Sequence, residues 1–202
     1  MTQDNGFLDR ALARVSPGAA RDYAFTHWSM PGKPTEETVG LLPVPAVDPE
    51  RFLARVMDVD HYVGHVDHVV ESRAIADPAY TPPAAVRFYQ RVKIPILGDI
   101  HQELVLRRVD SRNGFVIAAW SLLERETAAL SPKVAIRSQY SDGAWLVAPG
   151  RVGYALSSAP RRDDVGFLKW KALTLGADAA ASGVVRNNIE CMARWAAQQG
   201  GG

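Results

Sequence analysis

The stretch that most restricts how this chain can fold lies near its C-terminus, where residues 165–197 read as one long helix. A turn of about 100° per residue places Trp170, Leu173, Thr174, Ala177, Ala181, Val184, Asn188, Cys191, Met192 and Trp195 on one side, with Lys171, Arg186, Glu190 and Arg194 outside that stripe. Asp163 and Asp164 precede it and suit the positive end of a helix dipole. A stripe of this length needs a partner surface, and the segments before it have the period of strands. A long helix that follows antiparallel strands lies across their sheet, because each buries its apolar face only against the other.

Segments 68–77, 85–94, 99–109 and 114–124 are rich in β-branched and aromatic residues and are separated by Pro, Gly and Asp. In 85–94, Val86, Phe88, Gln90, Val92 and Ile94 alternate with Arg87, Tyr89, Arg91 and Lys93, which predicts one dry and one wet face. Pro95 to Gly98 fits a hairpin loop, and Arg112-Asn113-Gly114 supplies residues that tolerate positive φ. Two further strands are expected over 134–147 and 151–158, with Asp142-Gly143 either a hairpin turn or a bulge in one long strand. A first strand is expected over 38–43, and then a short helix capped by Asp48 and opened by Pro49 that ends near Asp58. The fold class is therefore α+β: a curved antiparallel sheet of about six or seven strands wrapped around a long C-terminal helix. At 202 residues one core suffices. Residues 1–36 are expected to form a helix (6–15) and an aromatic arm packing on a domain over 37–197, with a disordered tail at 198–202.

Charge and motifs remove several function classes. A net charge of +1 gives no basic surplus for neutralising phosphates, so nucleic acid is not an expected partner. One cysteine excludes an internal disulfide framework, and neither a signal peptide nor a membrane span is read, which together predict a cytoplasmic protein. No nucleophile elbow, phosphate loop or dinucleotide fingerprint occurs, so no cofactor and no catalytic residue is assigned.

What stands out is polar chemistry on dry faces. Gln90 and Gln102 share strand faces with Phe88, Val92, Leu104 and Leu106, while Thr174 and Asn188 sit in the stripe of the helix. A buried amide without a partner costs about 1–3 kcal/mol, so these groups either bond one another in a closed core or anchor an apolar guest. Ala177 and Ala181 leave the middle of the stripe thin between Trp170 and Trp195. Ile117, Tyr140 and Trp145 complete the candidate lining. A second row of small residues, Gly176, Ala180 and Gly183, invites close approach by the arm or by a second copy in a homodimer.

Two catalytic alternatives carry less. His61, His65 and His68 with Asp58, Asp60 and Asp67 have helical spacing for a metal, but Gly64 interrupts a helix there, and a solvated cluster is the preferred reading, with no metal assigned. Tyr89, His101, Glu103 and Tyr140 could move protons, yet alternation puts His101 and Glu103 opposite the Gln102 face, toward solvent. Cys191 reads as a small buried hydrophobe.

The order of strand, short helices, antiparallel meander and long last helix resembles the START-like or SRPBCC superfamily, the helix-grip fold. The run Phe88-Tyr89-Gln90-Arg91-Val92-Lys93-Ile94-Pro95 with Asp99 is similar to that family's Tyr-Gln-rich strand and the acid after it. Asp142-Gly143-Ala144-Trp145 and Gly166-Phe167-Leu168-Lys169-Trp170 resemble its glycine-bearing strand and the opening of its last helix. The likeness runs from Glu37 to Ala197. The chain reads Gly98-Asp99-Ile100-His101 and Ala159-Pro160-Arg161-Arg162 where START domains often carry an Arg-Asp pair and an Asp-Pro-Gly-Gly element. The resemblance implies a deep cavity between sheet and helix for a lipid or other hydrophobic small molecule, and one bent strand at Asp142-Gly143. The expected function is binding or transport of such a molecule. A polyketide cyclase or aromatase using the same cavity is the alternative enzyme, and a module whose cavity is filled by its own side chains is the third reading.

Overall fold

The C-terminal helix crosses a single sheet. A computed structural model describes residues 6–18, 21–95, 97–123, 130, 132 and 135–198, with the side chains of 172–179 outside the description. The strands are β1 (Ala24–Trp28), β2 (Glu37–Pro43), β3 (Val69–Ile75), β4 (Ala85–Ile94), β5 (Gly98–Arg112), β6 (Phe115–Leu122), β7 (Ile136–Ala148) and β8 (Arg151–Pro160). They form one sheet in the order β1-β2-β8-β7-β6-β5-β4-β3. All neighbours are antiparallel. Beyond the end of the shorter β6, β5 and β7 meet directly and in parallel at Ile100–Ile136 and His101–Arg137. Both strands run opposite to β6, so their own contact must be parallel, and it draws the sheet into a curve.

The sheet has more strands than the six or seven expected, because Ala24–Trp28, in the prolyl arm, adds an edge strand to β2. Five residues flanked by Pro and Gly carry too little alternation to announce a strand. The ambiguity at Asp142-Gly143 resolves to one continuous strand, β7. Gly143 stands opposite Trp120 of β6, and a Cβ on it would lie 1.9 Å from the indole Cζ2. Only glycine lets that ring lie flat across the strand.

The helices are α1 (Gly6–Leu12), α2 (Pro49–Met57), the four-residue α3 (Arg162–Val165) and α4 (Phe167–Ala197), with a 3-10 turn at Val59–His61. The predicted cap is formed: the Asp48 carboxylate accepts from Arg51 N at 3.0 Å, and Pro49 opens the helix where no amide donor is needed. Among the described residues, no helix is long and apolar enough to cross a membrane.

The sheet is covered on both faces. On the convex face, Phe7, Leu8, Ala11 and Leu12 of α1 pack on Val39, Leu41, Phe115, Ile117, Leu146 and Ala155. On the concave face, α2 and α4 enclose Phe88, Leu104, Leu106, Trp145 and Tyr154. The arc of α4 that goes inward is wider than the predicted stripe and includes Val185 and Ile189. A helix wedged against strands and a second helix buries more than one line of residues. Close approach of helix to sheet occurs at Gly40 of β2, where a Cβ would meet Val185 Cγ1 at 2.5 Å and Tyr23 Oη at 2.8 Å. It does not occur at Gly183, around which nothing lies within 4 Å of a Cβ, and Gly176 falls outside the described side chains.

Candidate functional site

Between α4 and the concave face lies a cavity of about 450 Å³. Its floor follows from strand parity. On β4, Phe88, Gln90, Val92 and Ile94 point in; on β5, Ile100, Gln102, Leu104 and Leu106; on β8, Tyr154, Leu156 and Ser158. Ala180, Val184 and Asn188 of α4 form the roof, and Tyr62, Val66 and Val69 close one side. Trp120 and Trp145 supply broad apolar walls, with Tyr154 edge-on to Trp145 at 4.6 Å between ring centroids.

One polar line crosses this surface. Gln90 and Gln102 are direct cross-strand partners. Ser138 Oγ donates to Gln102 Oε1 at 2.9 Å, and Gln102 Nε2 donates to Gln90 Oε1 at 2.9 Å. All three side chains are buried and line the cavity. Ser138 reaches the line because β7 carries an irregularity between Ser138 and Tyr140 that shifts its register on β8. On the roof, Asn188 Nδ2 donates to Val184 O at 3.0 Å, while its Oδ1 is buried and has no partner. The mouth holds half-buried Asp67 and the exposed His68 and Lys169, whose Nζ donates to Leu97 O at 3.2 Å. Among the described lining residues, the interior titratable groups are two phenols. Burial pushes the Tyr62 and Tyr154 hydroxyls well above the usual phenol range, and Tyr62 donates to Val56 O. Both are neutral near pH 7.

Of the residues singled out from the sequence, Phe88, Gln90, Val92, Gln102, Leu104, Trp145 and Asn188 stand on the cavity wall. Ile117 does not: it pairs with Leu146 and lies under α1, since β6 turns Val116, Ala118 and Trp120 inward. Tyr140 also faces the other way, because it stands one residue from Ser141 and five from Trp145, both on the cavity wall, and alternation along β7 puts it on the opposite face. Its hydroxyl bonds Thr35 Oγ1 at 2.8 Å, and Lys33 Nζ stands 4.7 Å from the ring centre. Trp170 and Ala181 are half-buried on α4 and are not among the lining residues. The side chains of Thr174 and Ala177 lie outside the described ones. Trp120, Ser138, Tyr154 and Leu156 were missed; parity along β6 and β8 could have found all but Ser138.

The proton-transfer candidates are also placed differently. Glu103 is not solvent-facing but 1% exposed, on the convex side, where Arg87 donates to it at 2.8 Å and Leu130 N also donates. His101 Nδ1 bonds the Tyr89 hydroxyl at 2.6 Å on that same side. None of the three lines the cavity. In the histidine cluster, His61 bonds Asp58 at 2.7 Å, and His65 stacks on Trp195 at 4.6 Å. Among the described residues no three His, Cys, Asp or Glu side chains converge as metal ligands do.

No family model and no curated protein matches the sequence. Solved structures do match in shape. The STAR-related lipid transfer protein of Xanthomonas axonopodis (fragment 25-204) superposes with a TM-score of 0.70 at 13% identity, over 89% of this chain and 96% of that one. Human STARD10 gives 0.65 at 14%, over 97% and 80%. The di-domain ARO/CYC StfQ from the steffimycin biosynthetic pathway gives 0.52 at 13%, over 79% of this chain and 50% of that one. Likeness at such low identity is a statement about architecture, and together with the sheet order and the crossing helix it establishes that this chain has the START-like helix-grip fold.

Proposed function

We propose that this protein binds one compact, largely apolar small molecule between its sheet and α4, and holds or carries it without transforming it. The observation that carries this reading is the cavity itself: about 450 Å³ of space, within the range of about 300–1,000 Å³ that suits a single drug-sized ligand. Its walls are aliphatic and aromatic, interrupted by the Gln90–Gln102–Ser138 line and Asn188. That is the composition expected of a site that takes its affinity from burial and its orientation from a few polar contacts.

Structural neighbours named for lipid transfer and for aromatase/cyclase steps support a hydrophobic guest in either case. The interior favours binding over catalysis. General acid–base work needs a group that titrates near the working pH, and the described interior wall offers only Tyr62 and Tyr154, both held protonated. Among the described lining residues, the carboxylate of Asp67 and the imidazole of His68 stand at the mouth.

Native mass spectrometry of the purified protein, followed by organic extraction, tests the proposal. A recurring mass adduct of one small apolar compound, displaced by added hydrophobic ligand with quenching of tryptophan fluorescence, is the expected result. Absence of any adduct, with no fluorescence change across a panel of apolar compounds, would show that the space is not a binding site.

A further inference from the structure

Resting on the reading just given, we infer that the guest carries a neutral hydrogen-bond acceptor, a ketone, ester or amide carbonyl, and that the amide N–H of Gln90 on β4 holds it. The side chains of the polar line all donate in one direction. Ser138 Oγ gives its hydrogen to Gln102 Oε1, and Gln102 Nε2 gives one to Gln90 Oε1, each at 2.9 Å. Aligned hydrogen bonds polarise one another, so a donor at the end of such a series is strengthened. That end is Gln90 Nε2, which carries two hydrogens and bonds nothing among the described residues.

This nitrogen is open, whereas the unpartnered oxygen on the roof is closed. The unpartnered side-chain atoms that have lost their accessible surface include Asn188 Oδ1 and do not include Gln90 Nε2. Gln90 lies on an inner strand, between β3 and β5, with its side chain on the cavity wall, so the surface it keeps faces the cavity. Ser72 of β3, directly across from it, is turned elsewhere, its hydroxyl donating to Val59 O at 2.6 Å. In the unliganded protein such a donor is met by water, and a guest that displaces the water must accept its hydrogen or leave it unmade. A carbonyl accepts without bringing a donor of its own that needs a partner. An alkane cannot accept. An ionised carboxylate can, but its charge would be buried among apolar walls and protonated phenols, while Lys169 stands exposed at the mouth with its ammonium on Leu97 O.

The test uses the full chain and three probes of equal chain length, decan-2-one, decane and decanoate, titrated by tryptophan quenching, with infrared difference spectra of the bound ketone. A hydrogen-bonded carbonyl stretches at lower wavenumber than one in hydrocarbon, so the band of the bound ketone should lie below its position in hexane. Decanoate should bind more weakly than the ketone. Gln90→Leu combined with Gln102→Leu removes both amides together, so that neither is left unpaired by loss of the other. In that double variant the band should return to its hexane position, and the ketone-to-decane affinity ratio should fall about threefold to tenfold, the effect of one hydrogen bond. Gln102→Leu alone keeps the Gln90 donor and should keep the lowered band. Should the leucine pair melt early, Gln90→Met with Gln102→Met serves the same comparison. A band at the hexane position in the unaltered protein, a lowered band that survives the double variant or is lost on Gln102→Leu alone, or tighter binding of decanoate would overturn the inference while leaving the cavity a binding site. Failure of all three probes to bind would remove the binding reading and the inference with it.

Discussion

The two faces of the sheet are cut from the same strands, yet they treat buried space and buried polarity in opposite ways. On the convex face α1 fills the volume, with Phe115 and Ile117 at 0% exposure beneath it. Glu37 and Glu103 are buried there, and Glu37 is saturated: Arg10 donates to both its carboxylate oxygens at 2.7 and 2.8 Å, and Lys33 and Trp28 each donate at 2.8 Å. On the concave face α4 leaves a cavity, and a buried amide oxygen on its roof goes without a partner. The difference separates two jobs. A face packed to the density of a crystal stabilises the domain and clamps the arm and α1 to it. On the binding reading proposed above, a face left partly unfilled can give up some of that stability because a guest would restore it.

If this division holds, damage on the convex side should cost stability and spare binding. Phe115→Ala should produce the largest effect, about 3–5 kcal/mol from lost burial and the hole left behind, read as a fall in urea midpoint. Probe affinity measured on the folded protein should stay within twofold; a collapse of affinity would mean that the two faces are coupled.

Glu37→Gln comes next. Burial alone would raise this carboxyl, but the bonds from Arg10, Lys33 and Trp28 outweigh it and hold it at about 2, against an ordinary 4.5. A depressed carboxyl contributes stability that is complete above its unfolded value and is lost as pH falls through the folded one. The contribution is therefore about 3 kcal/mol at neutral pH, disappearing between 4.5 and about 2. The glutamine variant should lose about 2–3 kcal/mol at pH 7, less than a fully buried pair because Arg10 and Lys33 reach solvent, and its stability should fall less steeply through that acid window. An unchanged acid profile would show that another group governs it.

Filling the concave side should do the reverse. Val92→Trp projects an indole into existing space and should change the melting free energy by about 1 kcal/mol or less, below the usual cost of overpacking, while probe binding weakens at least tenfold. Strong destabilisation with binding retained would place the usable volume elsewhere. The smallest effect belongs to Gly183→Ala. Nothing lies within 4 Å of a Cβ there, so the variant should gain up to about 1 kcal/mol of helix propensity. A loss of stability would reveal a contact at this position, such as a second copy of the chain.

Much of the fold was legible because its signals are local. The alternation in Ala85–Ile94, the Asp48 cap with Pro49, and the Asn113-Gly114 turn, where φ is 51° and 79°, act within a few residues. The candidate site was legible in half. Gln90, Gln102 and Asn188 stood out as polar residues at apolar positions, a contradiction visible without coordinates. Ile117 and Tyr140 were misplaced for one shared reason: each stands an odd number of residues from the cavity-facing tryptophan of its own strand, Trp120 for Ile117 and Trp145 for Tyr140, so alternation sends it to the opposite face.

The sequence alone determined that this chain would lay a long amphipathic helix across an antiparallel sheet with amides in its dry face, because period and polarity are properties of neighbouring residues. Only the tertiary structure decided that Trp120 would lie over Gly143, that α4 would press on Gly40 of β2, and that space would remain beside Asn188. Those outcomes depend on how closely elements distant along the chain can approach, and such distances are set by the packing of the whole molecule.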